Sequence, residues 1–273
     1  MFRASHLIII LAIISSSFTS YSQTEPVVKT ATYFRATPPL RDMVKIPPGQ
    51  RDRSWKDNII RNEVREKDPV YVPDSWHDPL AQTEMGRGTM TTPIENFEGT
   101  GNVNSIMPPD TDGDVNADYF FQMINLSFTI FDKQGNIVDG PYDNSTLWDG
   151  FIGPWTGTND GDPIVLYDEI ADRWMVSQFA VNTSDGTYWE LIAISATSDP
   201  TGVYYQYAFQ FPDFNDYPKF GLWNDAYYAS FNMFGSYFRV AAAAFERDSM
   251  LVGAPGARMV LFDLPNGSNP HSM

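Results

Sequence analysis

The chain has 273 residues, of which 42% are hydrophobic, and it carries a formal net charge of −16 and no cysteine. The absence of cysteine excludes a disulfide framework and a lipid anchor on cysteine, and the hydrophobic share argues for a packed globule rather than a disordered chain. The negative charge disfavours nucleic acid and anionic lipid as partners and favours cations or neutral ligands such as sugars.

Residues 1–23 have the pattern of a secretory signal. A basic residue, Arg3, precedes an apolar run over 7–14 and a short polar stretch that ends near Gln23. The run is too short to span a bilayer, and no stop-transfer pattern follows it. We therefore expect an exported protein, secreted or held at the cell surface, without a membrane span.

Residues 24–109 are predicted to form an extended N-terminal arm. Proline, glycine and basic residues are frequent there, and apolar runs are few. One short helix is expected over 54–67, where Ser54 is a suitable N-cap and apolar residues follow at helical spacing. The arm is expected to connect to, and lie over, the rest of the protein.

Residues 110–273 are predicted to form an all-β domain. Two stretches, beginning at Asp162 and Asp216, can be superposed: each has an aspartate shortly before a proline, a strand, an acidic turn and a second strand containing a serine. Their separation of 54 residues suits a β-propeller with blades of four antiparallel strands. About three blades are visible, whereas closed propellers usually have at least four. We therefore expect an incomplete or truncated propeller, completed by unrecognised strands, by association or by further domains.

An acidic stretch at the start of this domain is the strongest local signal for a ligand. Five residues with side-chain oxygens alternate along it: Asp110, Asp112, Asp114, Asn116 and Asp118. A tight loop could turn these oxygens towards one hard cation, and Ca²⁺ suits such a ligand set. The match to an EF-hand loop is partial, and a solvated acidic turn explains the pattern equally well.

Three carboxylates are candidates for catalysis: Asp162, Asp216 and Glu190. The two aspartates begin equivalent strands, and they could converge if those strands line the channel of a propeller. A glycoside hydrolase would use them as base and acid, at a separation of roughly 5–10 Å, with Glu190 as the nearby candidate for general acid. The favoured alternative is structural, because an aspartate before proline commonly accepts backbone N–H bonds and closes a turn.

Other catalytic motifs find little support in the sequence. The three histidines, at 6, 77 and 271, have no metal-ligand spacing, and neither a serine-nucleophile motif nor a phosphate-binding glycine loop is present. Trp174, which opens the second strand of a predicted blade, is expected to pack between blades rather than to stack on a sugar.

The motifs GDPIVLYDEIADRW, beginning at Gly161, and DYPKFGLWNDAYY, beginning at Asp216, resemble those of a group of uncharacterised secreted bacterial proteins, typical of Bacteroidota. The resemblance covers over half of the chain beyond the signal. It implies a β-propeller and an extracellular location, and it transfers no catalytic residue. The sequence thus favours a non-catalytic propeller, stabilised by calcium, that binds an extracellular glycan or protein. The alternative is a glycoside hydrolase or lyase acting on a neutral polysaccharide.

Overall fold

The computed structural model describes residues 25–51, 53, 54, 84 and 92–263. These residues form an all-β structure of three open antiparallel sheets, as the sequence predicts for its second part. In the part of the chain so described, no helix is long and apolar enough to cross a membrane. The predicted secretory signal, and the predicted helix apart from Ser54, lie outside the described residues.

The described residues contain fourteen strands, two short helices and a 3-10 turn at Leu40–Asp42. The strands are β1 (Val27–Thr30), β2 (Tyr33–Ala36), β3 (Asp112–Val115), β4 (Tyr119–Ile124), β5 (Ser127–Asp132), β6 (Ile137–Asp143), β7 (Ile164–Asp168), β8 (Arg173–Asn182), β9 (Thr187–Ser195), β10 (Tyr204–Phe211), β11 (Phe214–Leu222), β12 (Ala226–Phe234), β13 (Phe238–Glu246) and β14 (Arg258–Asp263). The helices are α1 (Ser145–Trp148) and α2 (Arg247–Leu251).

Each sheet is built around four strands that follow one another along the chain. Sheet I has the order β3-β4-β5-β6, sheet II contains β7-β8-β9-β10, and sheet III contains β11-β12-β13-β14. Consecutive strands pair antiparallel through short turns, which is the local connection that alternating strand and turn residues favour. This is the strand content expected of a propeller blade. Closure into a propeller, and the number of blades, stay predictions.

The first part of the N-terminal arm is paired rather than simply laid over the surface. Strand β1 pairs with β14 at the outer edge of sheet III, and β2 pairs with β10 at the outer edge of sheet II. Neither strand is predicted by the sequence pattern. They have four residues each, too few for an alternating pattern to stand out, and their partners lie far away along the chain.

The inner strands of the three sheets lie side by side in the order β3, β7, β11. Strand β3 occupies the acidic stretch for which a tight loop was expected. Because side chains alternate along a strand, Asp112 and Asp114 point to the same side. Their carboxylates accept hydrogen bonds from the backbone N–H groups of Val165, at 2.9 Å, and Tyr167, at 2.7 Å. These two aspartates therefore join sheet I to sheet II.

The cores lie between neighbouring sheets. Trp174 is completely buried in the cluster shared by sheets I and II, where its ring centroid lies 5.8 Å from that of Phe121. Its indole N–H donates to the carbonyl of Ser198. The prediction that this tryptophan packs between neighbouring four-stranded units is confirmed. A second cluster, with Phe209 and Phe245 in contact, fills the space between sheets II and III.

Candidate ligand-binding site

Three aspartates meet where the inner strands begin. Asp110 precedes β3, Asp162 precedes β7, and Asp216 lies near the start of β11 at a register shift that extends to Lys219. Asp162 is in hydrogen-bond contact with both other carboxyl groups. The predicted equivalence of Asp162 and Asp216 thus corresponds to a shared location. We call these three residues the carboxylate cluster.

The backbone at this cluster adopts an unusual conformation. Asp110, Asp162 and Tyr217 have φ values of 39°, 47° and 52°, in the left-handed region that residues with a Cβ rarely enter. Each such residue costs about 1–3 kcal/mol, and such strain concentrates at functional sites. Three strained residues at one place therefore mark it as a candidate site.

Asn125 and Gly161 hold the cluster together. The Asn125 amide donates to the carboxylate of Asp110, and its oxygen accepts the N–H of Asp162 at 3.3 Å. Gly161 has φ 118°, and a Cβ there would lie 2.4 Å from the Asn125 oxygen. Glycine is thus required both by the backbone angle and by the close approach of Asn125.

Crowding of the carboxyl groups changes their proton affinity. Burial, with the charges of Asp216 and Asp110, raises the pKa of Asp162 to about 8, although the charge of Arg53 opposes the rise. Burial and the charge of Asp110 also raise the pKa of Asp216, against the hydrogen bond from the Tyr217 N–H. The cluster therefore holds a proton at neutral pH, because carboxyl groups in contact cannot all ionise.

The N-terminal arm supplies the positive charge beside the cluster. Burial lowers the pKa of Arg53, while Asp162, Asp110, Asp160 and Asp216 raise it, so its guanidinium lies within electrostatic reach of all four. The next residue, Ser54, is fixed by hydrogen bonds from its N–H and hydroxyl to one carboxylate oxygen of Asp160, at 2.7 and 2.8 Å. The arm thus partly neutralises the site.

A small pocket of about 80 Å³ opens on one side of the cluster. It is lined by residues from the starts of the three inner strands: Asp110, Thr111, Asp112, Asp162, Pro163, Ile164, Tyr217, Pro218 and Lys219. Tyr217 is 53% exposed, and the Lys219 ammonium lies 4.1 Å from the centroid of its ring. The pocket therefore combines carboxyl groups with an exposed aromatic ring and a cation.

Glu190 does not reach this pocket. Its side chain in β9 is completely buried, and it accepts a hydrogen bond from the Asn215 amide at 2.9 Å. Burial raises its pKa well above the ordinary value, and the charge of Asp162 acts in the same direction. The structure thus brings two of the three candidate catalytic residues together and places the third in the interface between sheets II and III.

The five predicted calcium ligands are dispersed. Asp110 joins the carboxylate cluster, Asp112 and Asp114 bond to β7, and Asn116 accepts the N–H groups of Asp118 and Tyr119. Among the described residues, no three histidine, aspartate or glutamate side chains are arranged to hold a metal ion. Calcium binding stays a prediction from the sequence.

Four residues at the site are not predicted by the sequence: Arg53, Asn125, Tyr217 and Lys219. A signal for Tyr217 was available in the comparison of the two repeats. Asp162 is followed directly by proline, whereas Asp216 is separated from Pro218 by Tyr217, an inserted residue that the bulge turns outward. Arg53 and Asn125 lie in segments without an equivalent in the repeat, so only the fold connects them to the site.

Comparison with known proteins yields little. No protein-family model and no curated protein matches the chain. One solved structure that matches is an exo-β-1,3-galactanase from Phanerochaete chrysosporium with β-1,3-galactotriose, at 10% identity and a TM-score of 0.27. The match covers 60% of this chain and 62% of the galactanase chain. At this TM-score the likeness supports no conclusion about fold or activity.

Proposed function

We propose that the protein is an extracellular β-propeller protein whose pocket binds a neutral, hydroxyl-rich glycan. One observation carries the proposal: the exposed ring of Tyr217 and the carboxyl groups of Asp162 and Asp112 line the same pocket. Sugar-binding sites need polar groups for the hydroxyls and an apolar surface for the C–H face of the ring, and tyrosine supplies a large, rigid surface of this kind.

The protonation of the cluster fits this ligand. A sugar hydroxyl both donates and accepts hydrogen bonds, and it therefore pairs with a protonated carboxyl as well as with an ionised one. Asp162 is protonated at neutral pH, since its pKa is raised to about 8 by burial and by its acidic neighbours. An anionic ligand would be repelled by the strongly acidic chain as a whole.

The extracellular location belongs to the proposal and depends on the signal predicted at 1–23. A protein ligand is the other class that the sequence favours. A glycan is preferred because the pocket is small and polar, whereas specific protein interfaces bury about 800 Å² on each partner.

Replacing Tyr217 with alanine should weaken glycan binding about tenfold or more, because the ring is the main apolar surface of the pocket. A tenfold loss corresponds to about 1.4 kcal/mol of binding free energy. The measurement is a screen of the wild type on an array of neutral oligosaccharides, followed by calorimetric titration of the best binder into both proteins. Tyr228→Ala is the matched control, since Tyr228 is also exposed and lies in the same sheet but outside the pocket.

The proposal fails if no oligosaccharide binds to the wild type. It also fails if Tyr217→Ala binds the selected glycan as tightly as the wild type does. Equal losses in the Tyr217 and Tyr228 variants would place the binding surface elsewhere on sheet III.

Glycoside hydrolysis is the second candidate, and the raised pKa of Asp162 favours it because a general acid must be protonated near neutral pH. The placement of Glu190 counts against it, since the residue predicted as general acid is completely buried and does not line the pocket. Binding therefore ranks first. We expect no release of reducing ends from the glycans that bind. Turnover by the wild type that Asp162→Asn abolishes, without loss of folding, would establish hydrolysis instead.

A further inference from the structure

The pocket is lined from all three sheets, and two of its walls come from sheets II and III. Asp162, Pro163 and Ile164 lead into sheet II, whereas Tyr217 and Lys219 belong to sheet III. We propose that Glu190 is a positioning residue that sets the separation of these walls through its hydrogen bond to Asn215. The proposal rests on the proposed binding function of the pocket and adds a residue that does not touch the ligand.

The contacts across the sheet interface carry this inference. Asn215 immediately precedes Asp216, and its amide donates to the Glu190 carboxyl at 2.9 Å and to the Trp189 carbonyl at 3.5 Å. Glu190 and Asn215 are both completely buried. The start of β11 in sheet III is thus hydrogen-bonded to β9 in sheet II directly beside the pocket.

The bulge of β11 makes the hydrogen bond between Glu190 and Asn215 important for the position of Tyr217. Regular pairing between β11 and β12 is interrupted between Asp216 and Lys219, and Tyr217 has a left-handed φ of 52°. Tyr217 and Pro218 therefore lack the strand pairing that fixes the residues on either side of them in β11. Their position depends on the residues that flank the bulge, and those before it, Phe214 and Asn215, contact sheet II.

Two substitutions of Glu190 separate the effect of its hydrogen bond from the effect of its charge. Burial raises the pKa of Glu190 well above its ordinary value, and a glutamine has nearly the same shape as its side chain and can accept the same bond from Asn215. Alanine removes the acceptor and leaves the buried amide of Asn215 without its closest partner. A positioning role through the bond therefore predicts that Glu190→Gln behaves as the wild type and that Glu190→Ala does not.

The experiment compares ¹H–¹⁵N spectra of the ligand-free full chain as wild type, Glu190→Gln, Glu190→Ala and Asn215→Ala. In the two alanine variants we expect shifted amide signals at Asp216, Tyr217 and Lys219, and in Glu190→Gln we expect wild-type signals there. Ser177→Ala is the matched control. Ser177 is buried in sheet II and interacts with Glu190 from within that sheet, whereas Asn215 lies in sheet III, so loss of the Ser177 hydroxyl should shift signals of β8 and β9 without moving the Tyr217 wall.

Affinity for the glycan selected on the array provides the second readout. We expect a loss of about tenfold in Glu190→Ala and Asn215→Ala and a change of less than about twofold in Glu190→Gln and Ser177→Ala. A double variant, Glu190→Ala with Asn215→Ala, should lose no more than either single variant, because the two residues act through one bond.

The inference is overturned if folded Glu190→Ala keeps the wild-type signals at the bulge, or if Glu190→Gln disturbs them as strongly as alanine does. Loss of folding in both alanine variants would overturn it as well, because the bond would then serve the whole fold. The spectra need no ligand. Displaced signals together with an array that detects no glycan would therefore refute the proposed function and leave the positioning role supported.

Discussion

Replacing Asp168 with asparagine should lower the free energy of unfolding by about 3–5 kcal/mol, the usual cost of removing one partner from a buried ion pair. Asp168 ends β7 in sheet II and is completely buried. Its oxygens accept hydrogen bonds from Arg247 Nε and Nη2 at 2.7 and 2.9 Å and from the Tyr227 hydroxyl at 2.9 Å. Tyr227 lies in β12 of sheet III, and Arg247 begins α2, which follows β13. The variant therefore leaves a buried guanidinium without its buried carboxylate.

The same ion pair predicts the effect of acid. Burial by itself raises the pKa of Asp168, but the hydrogen bonds from Arg247, the Ala171 N–H and Tyr227 together hold it below its ordinary value. A carboxyl with a lowered folded pKa contributes stability above its unfolded pKa of about 3.9 and loses that contribution as the pH falls through the folded value. We therefore expect the difference in free energy of unfolding between the wild type and Asp168→Asn to become smaller below about pH 4.

Urea denaturation at pH 7, followed by a series towards pH 3, measures both effects. Asp248→Asn is the control, because Asp248 also lies beside Arg247, at 3.7 Å, but its side chain is 87% exposed. Exposed pairs contribute little, and this variant should stay within about 0.5 kcal/mol of the wild type. An Asp168→Asn protein as stable as the Asp248→Asn control at pH 7 would contradict the structural role assigned to the pair.

Replacing Asp162 with asparagine should raise the free energy of unfolding at alkaline pH, in contrast to the loss expected for Asp168→Asn. The pKa of Asp162 is raised to about 8 by burial, Asp216 and Asp110. In the unfolded chain the value is about 3.9, so stability from this group is fully present below about pH 4 and is lost as the pH rises through about 8. Each pKa unit corresponds to about 1.4 kcal/mol, and we expect a gain of about 2–5 kcal/mol at pH 8.5 after allowance for solvent screening.

The measurement is the free energy of unfolding of both proteins from pH 4 to pH 9. The two curves should coincide near pH 4, where both side chains are neutral, and should separate steadily above it. Asp118→Asn controls for the removal of a negative charge in general, because Asp118 is exposed and lies outside the cluster. If Asp162→Asn and Asp118→Asn change the pH dependence equally, the cluster does not share a proton as described.

A stabilising Asp162→Asn would also bear on function. Residues kept at a cost to stability are those that a site needs, and perturbed carboxyl groups in a pocket are candidates for such a role. We expect the stabilised variant to retain less affinity for the selected glycan than the wild type, since the amide cannot reproduce the shared proton of the cluster.

The sequence by itself determined the local parts of this structure. Alternating strand formers and turn residues sufficed to predict an all-β domain, and the repeated aspartate before proline led to the equivalence of Asp162 and Asp216. The burial of Trp174 followed from its place in the repeat. These features depend on side-chain alternation and turn chemistry within a few residues, and such information is present in any short window of the chain.

Only the tertiary structure decided which residues meet at the site. Asp110, Asp162 and Asp216 come from three different sheets, Arg53 arrives from the N-terminal arm, and the exposure of Tyr217 depends on a bulge. The burial of Glu190 likewise depends on how sheet III packs on sheet II. Alternation shows which side chains share a face of one sheet, but it contains no information on the sheet that covers that face, because such contacts join residues far apart in the sequence. The interaction between charged groups depends on their distance in space, so the pKa shifts of the carboxylate cluster arise only when the sheets have packed together.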